Sequence, residues 1–158
     1  TSIGSITLEL YSERAPATVA NFLQYAREGF YSGTIFHRVI DGFMIQGGGM
    51  DRELREKPTR APIPNEARSG LKNESGTIAM ARTPDPNSAR SQFFINLVDN
   101  PALDHPSPDG HGYAAFGKVT KGFEVVRSIA RVTTTRVGRS GDVPVEPIVI
   151  ESVKILSN

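Results

Sequence analysis

The sequence predicts an all-β fold, in which a closed or nearly closed antiparallel sheet is accompanied by two helices. Turn-forming residues are dense, with 15 Gly and 11 Pro, and they separate short runs of β-branched and aromatic residues. The first run alternates strictly between apolar Ile6, Leu8 and Leu10 and polar Thr7 and Glu9, so it predicts a strand with one buried face. Further strands are predicted at residues 36–40, 43–46, 77–81, 93–97, 113–119 and 148–156.

Two segments have the spacing of amphipathic helices. The first begins at Pro16, which suits a first helical turn, and ends before Gly29, which can adopt a left-handed conformation. A shorter helix is predicted from about Gly122 to Ala130. The apolar residues of the first helix form a stripe that needs a sheet to cover: Val19, Phe22, Leu23 and Ala26.

Length and composition limit the possible classes of protein. A chain of 158 residues with 38% hydrophobic side chains can bury one substantial core, so we expect a single domain over residues 1–158. The formal charge is +1, which gives no electrostatic reason to expect a nucleic-acid or membrane partner. No apolar run is long enough to span a membrane, so the chain is expected to be soluble.

Neither the cysteine count nor the N-terminus decides the compartment. The absence of cysteine excludes disulfides, thiol chemistry and thiolate metal sites, but it fits an oxidising or a reducing compartment. The chain begins at Thr1 without a methionine, so an export signal removed by processing stays open.

Motifs for metal, nucleotide or serine chemistry are missing or incomplete. His37, His105 and His111 have no metal-binding spacing, and no Gly-x-Ser-x-Gly elbow occurs. Residues 112–119 approach a phosphate-binding loop, but Val119 replaces the hydroxyl residue that would hold magnesium. We therefore expect neither a metal nor a cofactor.

Residues 36–49 and 91–96 combine aromatic and aliphatic side chains with one guanidinium. Together they could form an apolar pocket edged by Arg38. The alternative is that the apolar side chains belong simply to the core and that Arg38 and Gln46 lie on the surface.

Strand alternation around a turn at Asp41-Gly42 predicts how these side chains are distributed. Arg38 would share a face with Phe36 and Ile40. In the following strand one face would carry Phe43 and Ile45, and the other Met44 and Gln46.

These segments resemble the signature of the cyclophilin family, the prolyl isomerases that bind cyclosporin. The chain has no tryptophan, and residues 79–83 are Ala-Met-Ala-Arg-Thr. In both features it resembles the bacterial branch of the family. The similarity extends over nearly the whole chain, through residues 15–22, 33–48, 65–67, 70–73, 76–83, 91–96 and 116–119.

The resemblance implies a closed eight-stranded antiparallel barrel capped by two helices, with the active groove outside the barrel. It implies an enzyme that accelerates rotation about X-Pro bonds without a covalent intermediate or a cofactor. Its partners would be proline-containing peptides and unfolded or folding proteins, which it would assist as a chaperone does. We expect a monomer in the bacterial cytoplasm or periplasm.

The resemblance also implies roles for individual residues. Arg38 would be the catalytic guanidinium, and Tyr113 would partly replace a histidine donor of eukaryotic members. The catalytic group would be Arg38, Phe43, Gln46, Phe94 and Tyr113. Further substrate contacts would come from Met44, Ala81, Arg82, Gln92, Ala102 and Leu103, with the backbone of Ala81 and Arg82 contacting the peptide and Met44 and Leu103 completing a proline pocket with Phe43 and Phe94.

Two expectations depend on single positions. Ala102 stands where eukaryotic relatives carry tryptophan and bacterial ones often phenylalanine, so weak cyclosporin binding is expected. A module that binds proline peptides but turns over poorly is the alternative to an enzyme. Arg38 favours the enzyme, because a pure binding pocket has no use for a charge over the imide nitrogen.

Overall fold

The computed structural model describes residues 1–156, within which the chain forms ten short strands and two α-helices. The helices are α1 (Pro16–Arg27) and α2 (Phe123–Ala130), and short 3-10 turns occur at Ala67–Ser69 and Pro101–Leu103. The strands are β1 (Thr7–Leu10), β2 (Thr34–Ile35), β3 (Arg38–Ile40), β4 (Met44–Gly47), β5 (Thr77–Met80), β6 (Phe93–Asn96), β7 (Ala115–Lys121), β8 (Thr134–Val137), β9 (Ser140–Pro144) and β10 (Val149–Ile150).

Six of these strands form one antiparallel sheet in the order β1-β7-β5-β6-β4-β3. The other strands form two separate ribbons, β2 with β10 and β8 with β9. The predicted all-β class with two helices is therefore confirmed.

The prediction of a closed eight-stranded barrel is wrong, because the strands of the described residues do not join into one closed hydrogen-bonded sheet. Within residues 1–156, β1 and β3 are the open edges of the main sheet and do not pair with each other. The strand predicted at 36–40 begins only at Arg38, because Phe36 and His37 separate β3 from the short strand β2 before them, and β2 pairs with β10 while β3 pairs with β4. Packing brings β9 against β3, but no ladder joins them among the described residues.

The predicted helices are confirmed. Pro16 is the first residue of α1, and Val19, Phe22 and Ala26 are buried beneath it. Gly122 precedes α2 with φ 88°, and an added Cβ there would collide with the Ser5 carbonyl. Only glycine meets both conditions, so Gly122 fixes where α2 begins.

The central strands are apolar on both faces. On one face, Ile45, Ile78, Ile95 and Phe116 join the main core with α1 and α2. The other face carries a second, smaller apolar cluster, described below. This arrangement explains why strands such as Phe93–Asn96 are nearly continuous apolar runs rather than alternating ones.

The strands near the end of the chain differ from the prediction in two ways. The segment 148–156 forms a strand only at β10, and the ribbon β8–β9 was not predicted. Most of β8 is exposed, so its sequence lacks the apolar alternation that marks a half-buried strand. Among residues 1–156, neither helix has the length and apolar character needed to cross a membrane.

Candidate active site

The second apolar cluster lies on the face of the sheet opposite α1. Its buried members are Met44, Ala79, Phe94 and Ala115, which come from four neighbouring strands. Strand register brings them together, because Ala79 pairs with both Phe94 and Ala115. The cluster is completed by partly buried side chains at its edge, namely Ile40, Phe43, Leu71, Ala81, Leu103 and Tyr113.

This cluster forms the floor and walls of a cavity with a volume of about 140 Å³. The walls are mainly apolar and aromatic, and the charged groups at its edge are two guanidinium groups. Its lining residues are Arg38, Phe43, Met44, Gln46, Ala81, Arg82, Phe94, Leu103 and Tyr113.

Phe43 enters the cavity from a turn rather than from a strand. The Phe43 N–H donates to the Ile40 carbonyl at 3.0 Å, and Gly42 has φ 78°, so the predicted turn at Asp41-Gly42 is confirmed. Because β4 begins only at Met44, strand alternation does not govern Phe43. The prediction that Phe43 and Met44 lie on opposite faces is wrong, since both pack in the second cluster.

Arg38 is held at the cavity edge by its cross-strand partner Gln46. Arg38 Nη1 donates to Gln46 Oε1 at 3.4 Å, and Gln46 Nε2 donates to Gln92 Oε1 at 3.0 Å. The first of these bonds is long and therefore weak, and the Arg38 residue is exposed. The guanidinium, with five N–H groups, thus keeps most of its donor capacity for a ligand.

The position of the Gln92 side chain depends on a glycine. A Cβ at Gly49 would overlap the Gln92 side chain, so the glycine leaves the space from which Gln92 reaches Gln46.

Two residues that precede Arg38 are buried. His37 is buried beside Arg38, and burial, followed by the Arg38 charge, lowers its pKa to about 4. Phe36, predicted on the same face as Arg38, lies instead in the main core.

Arg82 is a second guanidinium of the cavity, but its side chain is only 2% exposed. It lies over the Tyr113 ring, 4.2 Å from the centroid, while Phe94 meets the same ring edge-on at 5.9 Å. Its Nη2 donates to the Gly112 carbonyl at 2.8 Å and to Asp109 Oδ2 at 2.6 Å. Arg82 therefore fixes Tyr113 and has little donor capacity left.

Asp109 organises the loop that precedes Tyr113. Its Oδ1 accepts hydrogen bonds from the Ser107 hydroxyl at 2.6 Å and from the backbone N–H groups of His111 and Gly112. The Ser107 bond, followed by the Arg82 bond, holds the pKa of the Asp109 carboxyl well below its usual range.

The model of the cyclophilin type peptidyl-prolyl cis-trans isomerases matches residues 1–155. The chain belongs to this family. It is 58% identical over 158 residues to peptidyl-prolyl cis-trans isomerase cyp18 of Streptomyces antibioticus, covering 99% of this chain and 95% of that protein. It is 53% identical to peptidyl-prolyl cis-trans isomerase B of Escherichia coli, covering 98% and 96%. The predicted resemblance, its bacterial branch and the isomerase class are confirmed.

A solved structure of the same family supports the fold. The Cryptosporidium parvum cyclophilin-type isomerase, crystallised in the presence of the dipeptide Ala-Pro, superposes with a TM-score of 0.77 at 31% identity. The match covers 99% of this chain and 95% of that one.

Most of the predicted site residues line the cavity, and two do not. Gln92 lies behind Gln46, one hydrogen bond away. Ala102 is exposed in the 3-10 turn before Leu103, and its side chain is not part of the lining. The catalytic and substrate-binding roles of all these residues stay predictions.

Sequence reasoning missed the polar residues behind the cavity. Asn73 and Asn96 are 1% and 0% exposed. Asn100 donates to the Phe43 carbonyl, and Asp109 accepts from the Arg82 guanidinium. A usable signal was present at Asn96, because an amide at the end of an otherwise apolar strand must find hydrogen-bond partners when it is buried.

Proposed function

We propose that this chain, acting as one domain, accelerates rotation about X-Pro bonds in peptides and folding proteins at the 140 Å³ cavity. The observation that carries the proposal is the position of Arg38, an exposed guanidinium at the edge of an apolar, aromatic cavity. Membership of the isomerase family supports the same conclusion.

The reaction needs electrostatics rather than covalent chemistry. The barrier is the partial double-bond character of the amide, about 18–20 kcal/mol, and no bond is made or broken. As the bond twists, the imide nitrogen regains a localised lone pair. A guanidinium that cannot lose its proton can donate to that lone pair and so stabilises the twisted state more than the planar one.

The cavity walls supply the grip on the substrate. Phe43, Met44, Phe94 and Leu103 present apolar surface that suits a prolyl ring. With the ring held, the preceding carbonyl turns, and the β3–β4 register, which pairs Arg38 with Gln46, places the guanidinium at the cavity edge. Rigid placement of this kind removes orientational entropy from the reacting geometry.

The peptide on either side of the proline is held by the edge of the cavity. The Ala81 N–H already donates to the Gln92 carbonyl at 3.0 Å, so a peptide contact at Ala81 uses its carbonyl. The Arg82 guanidinium is occupied by Asp109 and Gly112, so any Arg82 contact comes from its backbone. Tyr113 contributes its ring and its hydroxyl.

A protease-coupled assay on a short X-Pro peptide tests the proposal. We expect catalysed isomerisation that persists in excess chelator and without nucleotide, because rotation about the X-Pro bond makes and breaks no covalent bond and so needs neither a Lewis acid nor a phosphoryl donor. An Ala-Pro dipeptide should shift the NMR signals of Phe43, Phe94 and Leu103. Binding without catalysis would overturn the enzyme and favour the peptide-binding module, while loss of the rate in chelator would overturn the metal-free mechanism.

A further inference from the structure

Three walls of the cavity lie outside the strands. Phe43 belongs to a turn, Leu103 to a 3-10 turn, and Tyr113 to the segment before β7. The Phe43 carbonyl accepts from the Leu97 N–H at 3.0 Å, just beyond β6. Among the described residues no ladder pairs Leu103 or Tyr113 with β4 or β6, so the main sheet alone does not set how far these two walls stand from the Phe43 wall.

Three asparagine side chains form a continuous hydrogen-bonded chain behind these walls, called the amide chain here. Asn100 Nδ2 donates to Asn96 Oδ1 at 2.8 Å, and Asn96 Nδ2 donates to Asn73 Oδ1 at 3.1 Å. Asn96 also donates to the Thr77 hydroxyl at 3.0 Å, which anchors the middle of the chain to β5. Bonds that run in one direction polarise and strengthen one another in a buried site.

Both ends of the amide chain donate to carbonyl groups of the walls. Asn100 Nδ2 donates to the Phe43 carbonyl at 3.1 Å. At the other end, Asn73 Nδ2 lies within hydrogen-bond distance of the Tyr113 carbonyl at 3.2 Å, the Leu103 carbonyl at 3.3 Å and Asp104 Oδ1 at 3.3 Å, and its two N–H groups are shared among these acceptors. The amide chain thus connects the Phe43 wall to the Leu103 and Tyr113 walls.

Only an amide at the middle position satisfies both neighbours. A buried carbonyl can only accept, so each end of the chain must supply an N–H, and the middle residue must both accept from Asn100 and donate to Asn73. An aspartate at position 96 could still accept but could not donate. Asn73 would then either lose its partner or rotate, and rotation would turn its oxygen toward the carbonyls of Leu103 and Tyr113.

We propose that Asn73, Asn96 and Asn100 are positioning residues that set the width of the cavity. The inference rests on the proposed function and adds a determinant of ring selectivity to it. A correct width grips a five-membered prolyl ring, whereas a relaxed width weakens that grip and admits the six-membered ring of a pipecolyl residue more readily.

The test compares Asn96→Asp with Asn21→Asp. Asn21 is a matched control, because its buried amide also donates to a carbonyl, that of Arg90 at 2.7 Å, but it lies in α1 on the opposite face of the sheet. We expect Asn96→Asp to raise KM for an Ala-Pro peptide at least about 5-fold while kcat falls less than about 2-fold. The pipecolyl-to-prolyl ratio of kcat/KM should rise at least about 3-fold.

Asn100→Asp, at the half-buried end of the amide chain, is the milder variant if Asn96→Asp does not fold. The proposal is overturned if a folded variant of the amide chain, Asn96→Asp or Asn100→Asp, keeps the wild-type KM and ring selectivity, or changes them no more than Asn21→Asp does. A measurement without peptide tests the width of the cavity separately from the proposed isomerase activity. NOEs between the Phe43 and Leu103 side chains should weaken in the variants even if the wild type proves inactive, and unchanged NOEs would also overturn the proposal.

Discussion

The cavity contains two arginines with opposite accessibility. Arg38 is exposed and makes one long hydrogen bond to Gln46. The Arg82 side chain is buried and donates to Gly112, Thr83 and Asp109. Residue type alone does not separate these roles, since the same guanidinium can be a free donor or a structural clamp according to its partners.

His37 gives the protein a pH-dependent stability. Its pKa is lowered to about 4 by burial and by Arg38, whereas the unfolded chain takes up this proton near pH ~6.5. The unfolded state therefore binds more protons in this window, and stability is lost as the pH falls. We expect a loss on the order of 3 kcal/mol from this residue between pH ~7 and pH ~4, measured by urea unfolding.

His37→Gln should remove this part of the pH slope. Carboxylates with lowered pKa values, such as Asp109, are present in both proteins, so the difference between the two stability curves isolates His37. Identical slopes in the two proteins between pH ~4.5 and pH ~6.5 would contradict the assignment.

Replacement of Ala102 by tryptophan should strengthen cyclosporin binding. A tryptophan there could bury on the order of 60–100 Å² more apolar surface against cyclosporin, which at about 25 cal/mol per Å² is roughly 1.5–2.5 kcal/mol. We expect Ala102→Trp to bind cyclosporin about 10- to 60-fold more tightly, while turnover of a short X-Pro peptide changes much less. Titration of cyclosporin into the wild type and Ala102→Trp measures this difference in affinity. Unchanged inhibition in an active variant would show that Ala102 does not border the ligand.

At the scale of elements, the loop before β7 is ordered by a single carboxylate. Asp109 connects Ser107, His111 and Gly112 to Arg82, and Arg82 in turn lies over Tyr113. The Tyr113 wall therefore depends on Asp109 as well as on the amide chain.

Asp109→Asn should loosen this loop without unfolding the protein, because an amide cannot accept at both oxygen positions. We expect faster hydrogen exchange at the His111 and Gly112 amides and a raised KM for X-Pro peptides. Asp85→Asn is the matched control, since Asp85 accepts from the Asn87 N–H in another exposed loop. Equal exchange rates in wild type and Asp109→Asn would argue against the role of Asp109.

Sequence patterns predicted elements well where one face is buried. The alternation of β1 and the stripe of α1 led to the correct type and approximate bounds. They failed where a turn changed the periodicity, as at Phe43, and where a ribbon is mostly exposed, as in β8. The amide chain was not predicted, because Asn73, Asn96 and Asn100 come from separate segments that only the fold brings together.

For the molecule as a whole, the sheet separates the main core from the proposed active site. The face under α1 and α2 holds the main core, and the opposite face carries the second cluster and the cavity. The all-β class and the family followed from turn density and signature segments. Closure into a barrel depends on pairing between distant edges, and neither strand pattern nor resemblance determined that the ladder stops at β1 and β3.

The separation of the two faces allows the proposed catalytic group to be removed without loss of the fold. Arg38 is exposed and lies outside the main core, so Arg38→Ala should keep the wild-type unfolding midpoint. Arg27→Ala is the matched control, because Arg27 is an exposed arginine of α1 on the other face.

The most direct measurement is kcat/KM of Arg38→Ala for an X-Pro peptide beside wild type and Arg27→Ala. Loss of a donor to the twisted imide should cost about 3–4 kcal/mol, a fall of roughly 10² to 10³, with Arg27→Ala unchanged. A correctly folded Arg38→Ala protein that keeps more than about half of the wild-type kcat/KM would contradict the proposed mechanism.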